Sequence, residues 1–375
     1  MKFIHLSDLH LGKRVNGFSM LEDQRYILEQ LLELARAERP DGVLIAGDVY
    51  DRAAPPAEAV ELFDSFLVRL AGLCGRVFVI SGNHDSPERL AFGGRLMAPA
   101  GVHLAPVYDG RIEPVELRDE HGPLRVYLLP FLRPAAVRRF FEDEGIETVT
   151  DAMRAAVGRM ELEPGVRNLL VTHQFVVGSA RAESEELFAG GAEGVDGAVF
   201  APFDYVALGH LHRPQAVGGN MRYCGTPLAY SFSEAGEQKS ATVVSLGAKG
   251  EVSVRCAPLA PLHPLREVRG RYEELTARPY YAGTDLPGCY LHITLTDEQD
   301  QPDAVGRLRA VYPLLMRLDY DNARTRAAGE LPDAAAAAQS PMELFAQLYQ
   351  SQNGCPMTPR QAGYLEGLMQ EIWQP

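Results

Sequence analysis

Five short polar blocks in this sequence carry the side chains best suited to chemistry. Their candidate ligands are carboxylate and amide oxygens and imidazole nitrogens, without a thiolate, which favours Mn²⁺, Mg²⁺ or Fe²⁺ over structural zinc. Two such residues separated by one position on an extended strand end point the same way and can reach one ion. A single histidine beside an apolar run is more often structural, so the predicted metal centre rests on the whole set. In chain order the blocks are Asp8-x-His10, Gly47-Asp48-x-x-Asp51-Arg52, Gly82-Asn83-His84-Asp85, Thr172-His173 and Gly209-His210-x-His212.

Each block directly follows a short apolar run that is typical of a buried β-strand. Open α/β sheets place ligands at the carboxyl ends of their strands, because the strand is rigid and the loop after it can shape a site. Apolar residues also recur at helical spacing over residues 27–35, and Pro40 follows, which predicts a crossover helix between the first two strands. We therefore expect an α/β domain with its site at the strand ends. The five runs span residues 3–6, 43–46, 77–80, 169–171 and 205–208.

Length and composition narrow the class of protein. The 375 residues suffice for two or three domains. No apolar run approaches the roughly 18 residues that span a bilayer, and Asp8 comes too early for a signal peptide, so we expect a cytoplasmic protein. The five cysteines include no CxxC pair, which argues against a zinc knuckle or a disulfide framework. The net charge of -14 argues mildly against nucleic-acid binding over the whole surface, but bound cations or a partner's basic surface would answer that objection.

Changes in sequence texture divide the chain into four parts. Two helix starts near its end, residues 340–343 and 358–361, follow the capping-box pattern with proline at the first helical position. Each of these helices carries one apolar stripe, which either docks on its own domain or binds a partner. The expected parts are a catalytic domain at 1–262, a small α+β domain at 263–325, a linker at 326–340 and a helical segment at 341–375. The alanine-rich stretch at 327–341 is expected to be a linker, with a partly helical stretch as the alternative.

The order of the polar blocks closely resembles that of the calcineurin-like metallophosphoesterases, whose blocks read D-x-H, G-D-x-x-[DH], G-N-H-[DE], H and G-H-x-H. All five blocks are present here. The resemblance implies a layered α/β core of two packed sheets flanked by helices, and two divalent ions bridged by Asp48. By the same resemblance the first ion is held by Asp8, His10, Asp48 and His212, and the second by Asp48, Asn83, His173 and His210.

Four other residues of the blocks have expected roles beside the ions. In the family, the residue matching His84 faces the scissile phosphate as a donor or general acid toward the leaving oxygen. Asp51 is expected to pair with His84 and hold its tautomer. Arg52 either contacts phosphate or forms a surface salt bridge. Asp85 is expected to brace its loop rather than to bind metal.

Longer stretches resemble the SbcD family of bacterial nuclease subunits. That resemblance implies a homodimeric, Mn²⁺-dependent nuclease acting on DNA ends and hairpins in repair, recombination and replication, with the ATPase SbcC as partner. It also implies that the small domain caps the site and contacts DNA, and that the terminal helices bind SbcC. Since the chain has no GxxxxGK[ST] motif, ATP hydrolysis would reside on the partner. The stretches are residues 1–16, 47–56, 81–90, 223–234 and 340–354.

Two other functions compete with this interpretation. A stand-alone phosphodiesterase acting on small phosphoesters would use the same core, because one fold serves many substrates. A scaffold with a decayed site would only bind DNA or a partner, but every expected ligand is in place. The overall acidity predicts that the chain alone binds DNA weakly and with strong salt sensitivity.

Overall fold

The computed structural model describes residues 1–141, 145–180, 194–329, 341–353 and 355–373. These residues form two compact units, one spanning Met1–Pro264 and the other Leu265–Pro375. The first unit ends at Pro264, two residues beyond the boundary expected at 262. Among the described residues, no helix is both long enough and apolar enough to cross a membrane.

The five strands predicted from apolar runs are all present, as β1, β4, β5, β9 and β10. In chain order the strands are β1 Lys2–Leu6, β2 Arg14–Val15, β3 Phe18–Ser19, β4 Gly42–Ala46, β5 Val77–Ile80, β6 Val102–Leu104, β7 Val115–Asp119, β8 Gly122–Leu129, β9 Arg167–His173, β10 Tyr205–Gly209, β11 Gln215–Val217, β12 Met221–Tyr223, β13 Ser240–Leu246, β14 Val252–Pro258, β15 Leu265–Gly270, β16 Tyr290–Leu295 and β17 Leu315–Tyr320.

The predicted crossover helix is confirmed as α1, which ends before Arg39, a residue in the left-handed region, and Pro40. The helices are α1 Leu21–Glu38, α2 Ala57–Leu73, α3 Pro87–Leu90, α4 Gly94–Met97, α5 Pro134–Arg138, α6 Val149–Gly158, α7 Tyr272–Thr276, α8 Arg278–Tyr281, α9 Ala304–Arg309, α10 Ala323–Gly329, α11 Pro341–Asn353 and α12 Pro359–Trp373.

The described part of the first unit contains two six-stranded sheets, ordered β14-β13-β1-β4-β5-β6 and β11-β12-β10-β9-β8-β7. In each sheet the central strands that precede the polar blocks are parallel, so their carboxyl ends lie at one edge. Side chains from both sheets, such as Phe3, Phe78 and Val171, share one buried core. This confirms the predicted layered α/β core, because a sheet stabilises itself by burying a face against another layer.

Helices cover the outer faces of both sheets. Ile27 and Leu31 of α1 are buried, and α1 packs on α2. Met153 and Ala156 of α6 pack with Val206 of β10 in a second core cluster. These amphipathic helices anchor the sheets, which in turn fix the strand ends that carry the polar blocks.

The second unit has a parallel three-stranded sheet, β15-β16-β17, with a core of its own. Strands β16 and β17 and helix α9 match the predicted α+β elements. Residues 326–329, where the expected linker begins, belong to α10, in agreement with the partly helical alternative, and the Asn322 side chain accepts a hydrogen bond from Thr325 N–H at 3.1 Å. Residues 330–340, the rest of that linker and Ser340 of the first capping box, lie outside the described residues.

The second predicted capping box is confirmed at the start of α12. The Thr358 hydroxyl accepts a hydrogen bond from Gln361 N–H at 3.4 Å, and Gln361 Oε1 accepts one from Thr358 N–H at 2.8 Å. Together these bonds satisfy two donors that a helix start would otherwise leave unpaired.

Candidate metal centre

The carboxyl ends of the central strands bring the ligand-type side chains into one cluster. Asp8 and His10 follow β1, Asp48 follows β4, and His173 ends β9. Among the described residues, three groups have ligand atoms that all lie within 4.8 Å of one another. Because the groups share members, they form one continuous centre. The groups are Asp8, His10 and His212; Asp8, Asp48 and His173; and His10, Asp48 and His84.

Asp48 lies in the middle of this centre. Its Oδ2 atom lies 3.4 Å from His173 Nε2, 3.8 Å from His10 Nε2 and 3.9 Å from His84 Nε2. Its Oδ1 atom accepts a hydrogen bond from the backbone N–H of His84 at 2.9 Å. The backbone therefore fixes the carboxylate while one oxygen faces three imidazoles, an arrangement suited to a carboxylate shared by two ions.

Asn83 gathers a second set of donors. Its Oδ1 atom lies 3.0 Å from His173 Nε2 and 3.0 Å from His210 Nδ1. On the far side of the His173 ring, Nδ1 lies 2.8 Å from the carbonyl oxygen of Ala46 and donates a hydrogen bond to it. That bond directs Nε2 toward Asn83 and Asp48, and Nε2 is therefore the nitrogen that could bind an ion, as in many metal-ligating histidines.

Backbone in an unfavourable conformation surrounds the centre. Several non-glycine residues here adopt positive φ, which costs on the order of 1 to 3 kcal/mol each and persists only where neighbours enforce it. The enforcing bonds include His10 N–H to the Asp48 carbonyl at 3.0 Å and His210 N–H to Asp8 Oδ1 at 3.0 Å. Strain concentrated in this way marks a functional site. The residues are Asp8 at +53°, His10 at +45°, Asp48 at +50° and His210 at +105°.

Two glycines allow the loops to approach one another closely. A Cβ atom on Gly82 would lie 2.1 Å from Asp48 Oδ1. A Cβ atom on Gly209 would lie 1.9 Å from the carbonyl oxygen of Ala46. Both distances are far below van der Waals contact, so only glycine permits the loops after β4 and β5, and the ends of β4 and β10 from the two sheets, to approach this closely.

The buried carboxylates of the cluster stabilise positive charge placed beside them. Burial alone would raise the pKa of Asp48, but the imidazoles of His173 and His10 outweigh it and hold that pKa well below its usual range. Burial alone would lower the pKa of His173, but the carboxylates of Asp48 and Asp8 outweigh it and raise the pKa to about 9. Buried carboxylates that stabilise a charged imidazole in this way equally favour a divalent cation.

The donors present fit such cations. The His10 side chain is fully buried, and within the described part of the chain neither of its ring nitrogens has a hydrogen-bond partner. An unpaired buried polar atom carries a cost, which coordination of an ion by one nitrogen would remove for that atom. Asp8, Asp48 and His212 supply further oxygen and nitrogen donors around it.

His84 lies at the edge of the centre, with 20% of its side chain exposed. Its Nδ1 atom lies 3.0 Å from the backbone carbonyl oxygen of Asp51 and donates a hydrogen bond to it. His84 therefore pairs with Asp51 as expected, but with its backbone carbonyl and not with its carboxylate. That carboxylate instead accepts a hydrogen bond from Lys13 Nζ at 2.8 Å, because the chain turns its carbonyl, rather than its side chain, toward the imidazole.

The other two residues of these blocks have simpler surroundings. Arg52 is 59% exposed and lies 3.8 Å from its neighbour Asp51, which matches the surface salt bridge weighed for it. Asp85 accepts hydrogen bonds from the backbone N–H groups of Val49, Tyr50 and Gly82 at 3.1, 2.9 and 2.9 Å. Asp85 therefore braces the two ligand loops, as expected.

Sequence reasoning missed a buried ion pair behind His212. Glu234 Oε1 lies 3.8 Å from His212 Nδ1, and Lys239 Nζ lies 2.5 Å from Glu234 Oε2. Burial alone would raise the pKa of Glu234, but His212 and Lys239 outweigh it and lower the pKa to about 2. Glu234 ends the resembling stretch at residues 223–234, which was the one available signal.

Comparison with known proteins assigns the family. The calcineurin-like phosphoesterase family matches residues 1–214, and the type 5 capsule protein repressor C-terminal domain matches residues 261–353. The chain is 33% identical over 323 residues to the SbcD subunit of nuclease SbcCD from Staphylococcus epidermidis, covering 85% of each chain. It is also 33% identical to the SbcD subunit from Staphylococcus saprophyticus, covering 85% of this chain and 84% of the other.

Among solved structures, a dimetal phosphatase from Danio rerio matches with a TM-score of 0.41 and 11% identity, covering 70% of this chain and 97% of the other. Three findings agree: the matched sequence family, the relatives at 33% identity and the presence of all five polar blocks. The chain belongs to the calcineurin-like phosphoesterases and, within them, to the SbcD family of nuclease subunits.

Proposed function

We propose that this protein is a two-metal, Mn²⁺-dependent DNA nuclease. It would hydrolyse phosphodiester bonds as an exonuclease on double-stranded ends and as an endonuclease on hairpins or single strands. The observation that carries the proposal is Asp48, whose carboxylate lies between two sets of donors in a chain whose relatives are named as nuclease subunits. We place its work in bacterial DNA repair, recombination and replication, in the cytoplasm.

The ligand assignments follow the two sets of donors. Two divalent ions bridged by one carboxylate activate water and neutralise charge on the phosphoryl group. Mn²⁺ suits these sites better than Mg²⁺, because Mg²⁺ prefers oxygen ligands and each set here includes imidazoles. Asp8, His10, Asp48 and His212 would hold one ion, and Asp48, Asn83, His173 and His210 the other.

His84 would serve as the proton donor to the leaving oxygen. The Asp51 carbonyl accepts a hydrogen bond from Nδ1 and fixes the orientation of the ring. Nε2 is then directed toward Asp48, 3.9 Å away, at the partly exposed rim where DNA would enter. General acid catalysis of this kind contributes about 10²- to 10⁴-fold to a rate. In this proposal Asp51 acts through its backbone, and Arg52 is at most a minor phosphate contact.

The second unit and its terminal helices would supply the partner contacts. We propose that the small domain contacts DNA and that α11 and α12 bind the ATPase SbcC, which would power the exonuclease. Leu344, Phe345 and Leu348 of α11 are 37%, 39% and 40% exposed, and Tyr364 of α12 is 72% exposed. Apolar side chains left exposed at helical spacing suit a partner that binds helices in a groove.

A homodimer is proposed on a different surface. Phe92 and Leu96 follow the Gly82-Asn83-His84-Asp85 block and are 87% and 86% exposed. Large apolar side chains so fully exposed often mark an interface. Phe92→Glu is expected to shift the sedimentation coefficient from dimer to monomer, whereas Val305→Glu, at a 40% exposed apolar site in the second unit, is not.

The test of the nuclease function is cleavage of a labelled, hairpin-ended DNA duplex by the purified chain with Mn²⁺. We expect cleavage that EDTA abolishes, that SbcC with ATP enhances, and that His84→Gln slows by about 10²-fold or more. Asp51→Asn is the matched control, because it leaves the carbonyl that orients His84 in place and is expected to slow cleavage far less. The comparison is made at several salt concentrations, since weak binding by an acidic chain is expected to be salt-sensitive.

The alternative is a stand-alone phosphodiesterase acting on small phosphoesters, for which the same centre would suffice. It predicts rapid hydrolysis of bis(p-nitrophenyl) phosphate together with intact DNA under every condition, with or without SbcC. That result would overturn the nuclease proposal and favour the phosphodiesterase.

A further inference from the structure

The segment that carries Asp8 and His10 needs support from outside itself. Both residues adopt positive φ, at +53° and +45°. Among the described residues no hydrogen bond to either nitrogen fixes the His10 ring, so its direction depends strongly on its backbone. Whatever fixes the backbone at residues 9–12 therefore sets the direction of a proposed metal ligand.

Gln24 of α1 reaches into this segment with its amide group. Its Nε2 atom donates a hydrogen bond to the carbonyl oxygen of His10 at 2.7 Å. Its Oε1 atom accepts one from the backbone N–H of Gly12 at 3.0 Å. Gln24 is 2% exposed, so these bonds form away from solvent, where losing one would leave a buried backbone group unpaired.

Tyr230 approaches the same segment from a distant part of the chain. Its hydroxyl donates to the carbonyl oxygen of Leu9 at 2.6 Å and accepts from Gln24 Nε2 at 3.0 Å. Its ring lies against the His10 ring, with the centroids 5.8 Å apart and the planes at 88°. One side chain thus contacts the backbone before His10, the ring of His10 and the amide of Gln24.

We propose that Gln24 and Tyr230 are positioning residues that hold the strained backbone of residues 9–12 and thereby direct His10 toward its ion. The proposal rests on the two-metal centre proposed above. Neither side chain belongs to the proposed sets of ligands, and each would act through His10. A pair that served stability alone would affect folding without favouring one ion over the other, whereas this pair should affect only the ion that His10 binds.

The test is calorimetric titration of the full chain with Mn²⁺ in the absence of DNA. Wild type is expected to bind two ions. In Tyr230→Phe and in Gln24→Met, one ion is expected to bind about 10- to 100-fold more weakly, as when other supports of metal ligands are removed, while the second is retained. In Gln24→Met, the backbone amide of Gly12 is also expected to exchange its hydrogen faster.

Tyr127→Phe is the matched control. Tyr127 is fully buried in the same unit, and its hydroxyl donates to the carbonyl oxygen of Glu161 at 2.8 Å. It should bind both ions like wild type. Binding of both ions with wild-type affinity by Tyr230→Phe and Gln24→Met would overturn the proposal, as would equal weakening of both ions.

The wild-type chain separates this proposal from the nuclease function. If wild type binds two Mn²⁺ ions, the two variants lose one, and DNA stays intact, the nuclease function falls while the positioning role stands. If wild type binds no Mn²⁺, both fall.

Discussion

Two clusters of histidine and carboxylate in this molecule have similar composition but differ in whether the histidine ring is hydrogen-bonded. In the first unit, His10 is fully buried among Asp8, Asp48 and His212, and neither of its ring nitrogens has a hydrogen-bond partner among the described residues. In the second unit, His292 on β16 has Glu267 Oε1 3.0 Å from Nδ1 and Asp319 Oδ2 2.8 Å from Nε2.

Residue types alone therefore do not identify a metal site. At His292 the carboxylates occupy both ring nitrogens, and Arg317 lies 2.8 Å from Asp319, so charges and hydrogen bonds are satisfied by protein. At His10 the ring nitrogens have no hydrogen bonds to the described residues, and the surrounding backbone is strained. A cluster that is incomplete without an ion is the one expected to bind it.

The largest expected effect comes from Asp48→Asn, which removes the carboxylate shared by both proposed ion sites. We expect the loss of tight Mn²⁺ binding at both sites and a fall in DNA cleavage on the order of 10³-fold or more, because such ions contribute several kcal/mol to the transition state. Calorimetry and the hairpin assay measure the two effects. Asp319→Asn, the same change in the His292 cluster, should leave Mn²⁺ binding and DNA cleavage unaltered. A loss of Mn²⁺ binding in this variant would show that the hydrogen-bonded cluster also binds an ion.

The next largest effect is expected within the first unit, where the carboxylate of Glu234 beside the centre already forms an ion pair with Lys239. Lys239→Met removes the ammonium group that lies 2.5 Å from the buried carboxylate of Glu234 in the wild type. Breaking a buried pair from one side costs about 3 to 5 kcal/mol in the free energy of unfolding. Urea denaturation measures this loss.

Arg69→Met is the control for that measurement. It breaks an ion pair with Glu29 whose side chains are 45% and 50% exposed, and exposed pairs contribute little. Equal losses from the two variants would show that burial of the Lys239 pair is not what gives it its strength.

The strands of the core and the polar side chains that cluster at their ends could be predicted because their signals are local in sequence. An apolar run predicts a strand, a polar block after it predicts a strand end, and Thr358 with Gln361 predicts a helix start. The ordered blocks then gave, by family resemblance, the set that the structure gathers around Asp48.

The supports of the centre could not be predicted, because they are set by tertiary contacts. Gln24 and Tyr230 are 206 residues apart in sequence yet share a hydrogen bond. Nor does sequence tell which atom of Asp51 faces His84, since that depends on how the loop turns. For the same kind of reason, the sequence left open whether the alanine-rich stretch is a linker or partly a helix, because alanine favours a helix when a cap such as Asn322 precedes it.

The smallest expected effect tests the His292 cluster itself. Burial alone would raise the pKa of Asp319, but hydrogen bonds from His292 and Arg317 outweigh it and lower the pKa below its usual value of 3.8. A lowered carboxyl pKa stabilises the fold fully above the unfolded value near pH 4, and that contribution is lost as pH falls through the folded value. Because Asp319 is 41% exposed, solvent screening limits the contribution to less than about 1 kcal/mol.

Asp319→Asn removes this contribution, so the difference in free energy of unfolding between wild type and variant should be present at pH 5 and shrink as the pH falls below 3.8. Urea denaturation of both proteins across this range measures the difference, in which the titration of carboxyl groups outside the His292 cluster cancels. A difference that stays constant with pH would mean that the His292 cluster is held together by packing rather than by charge. Its contrast with the metal centre would then rest on shape alone.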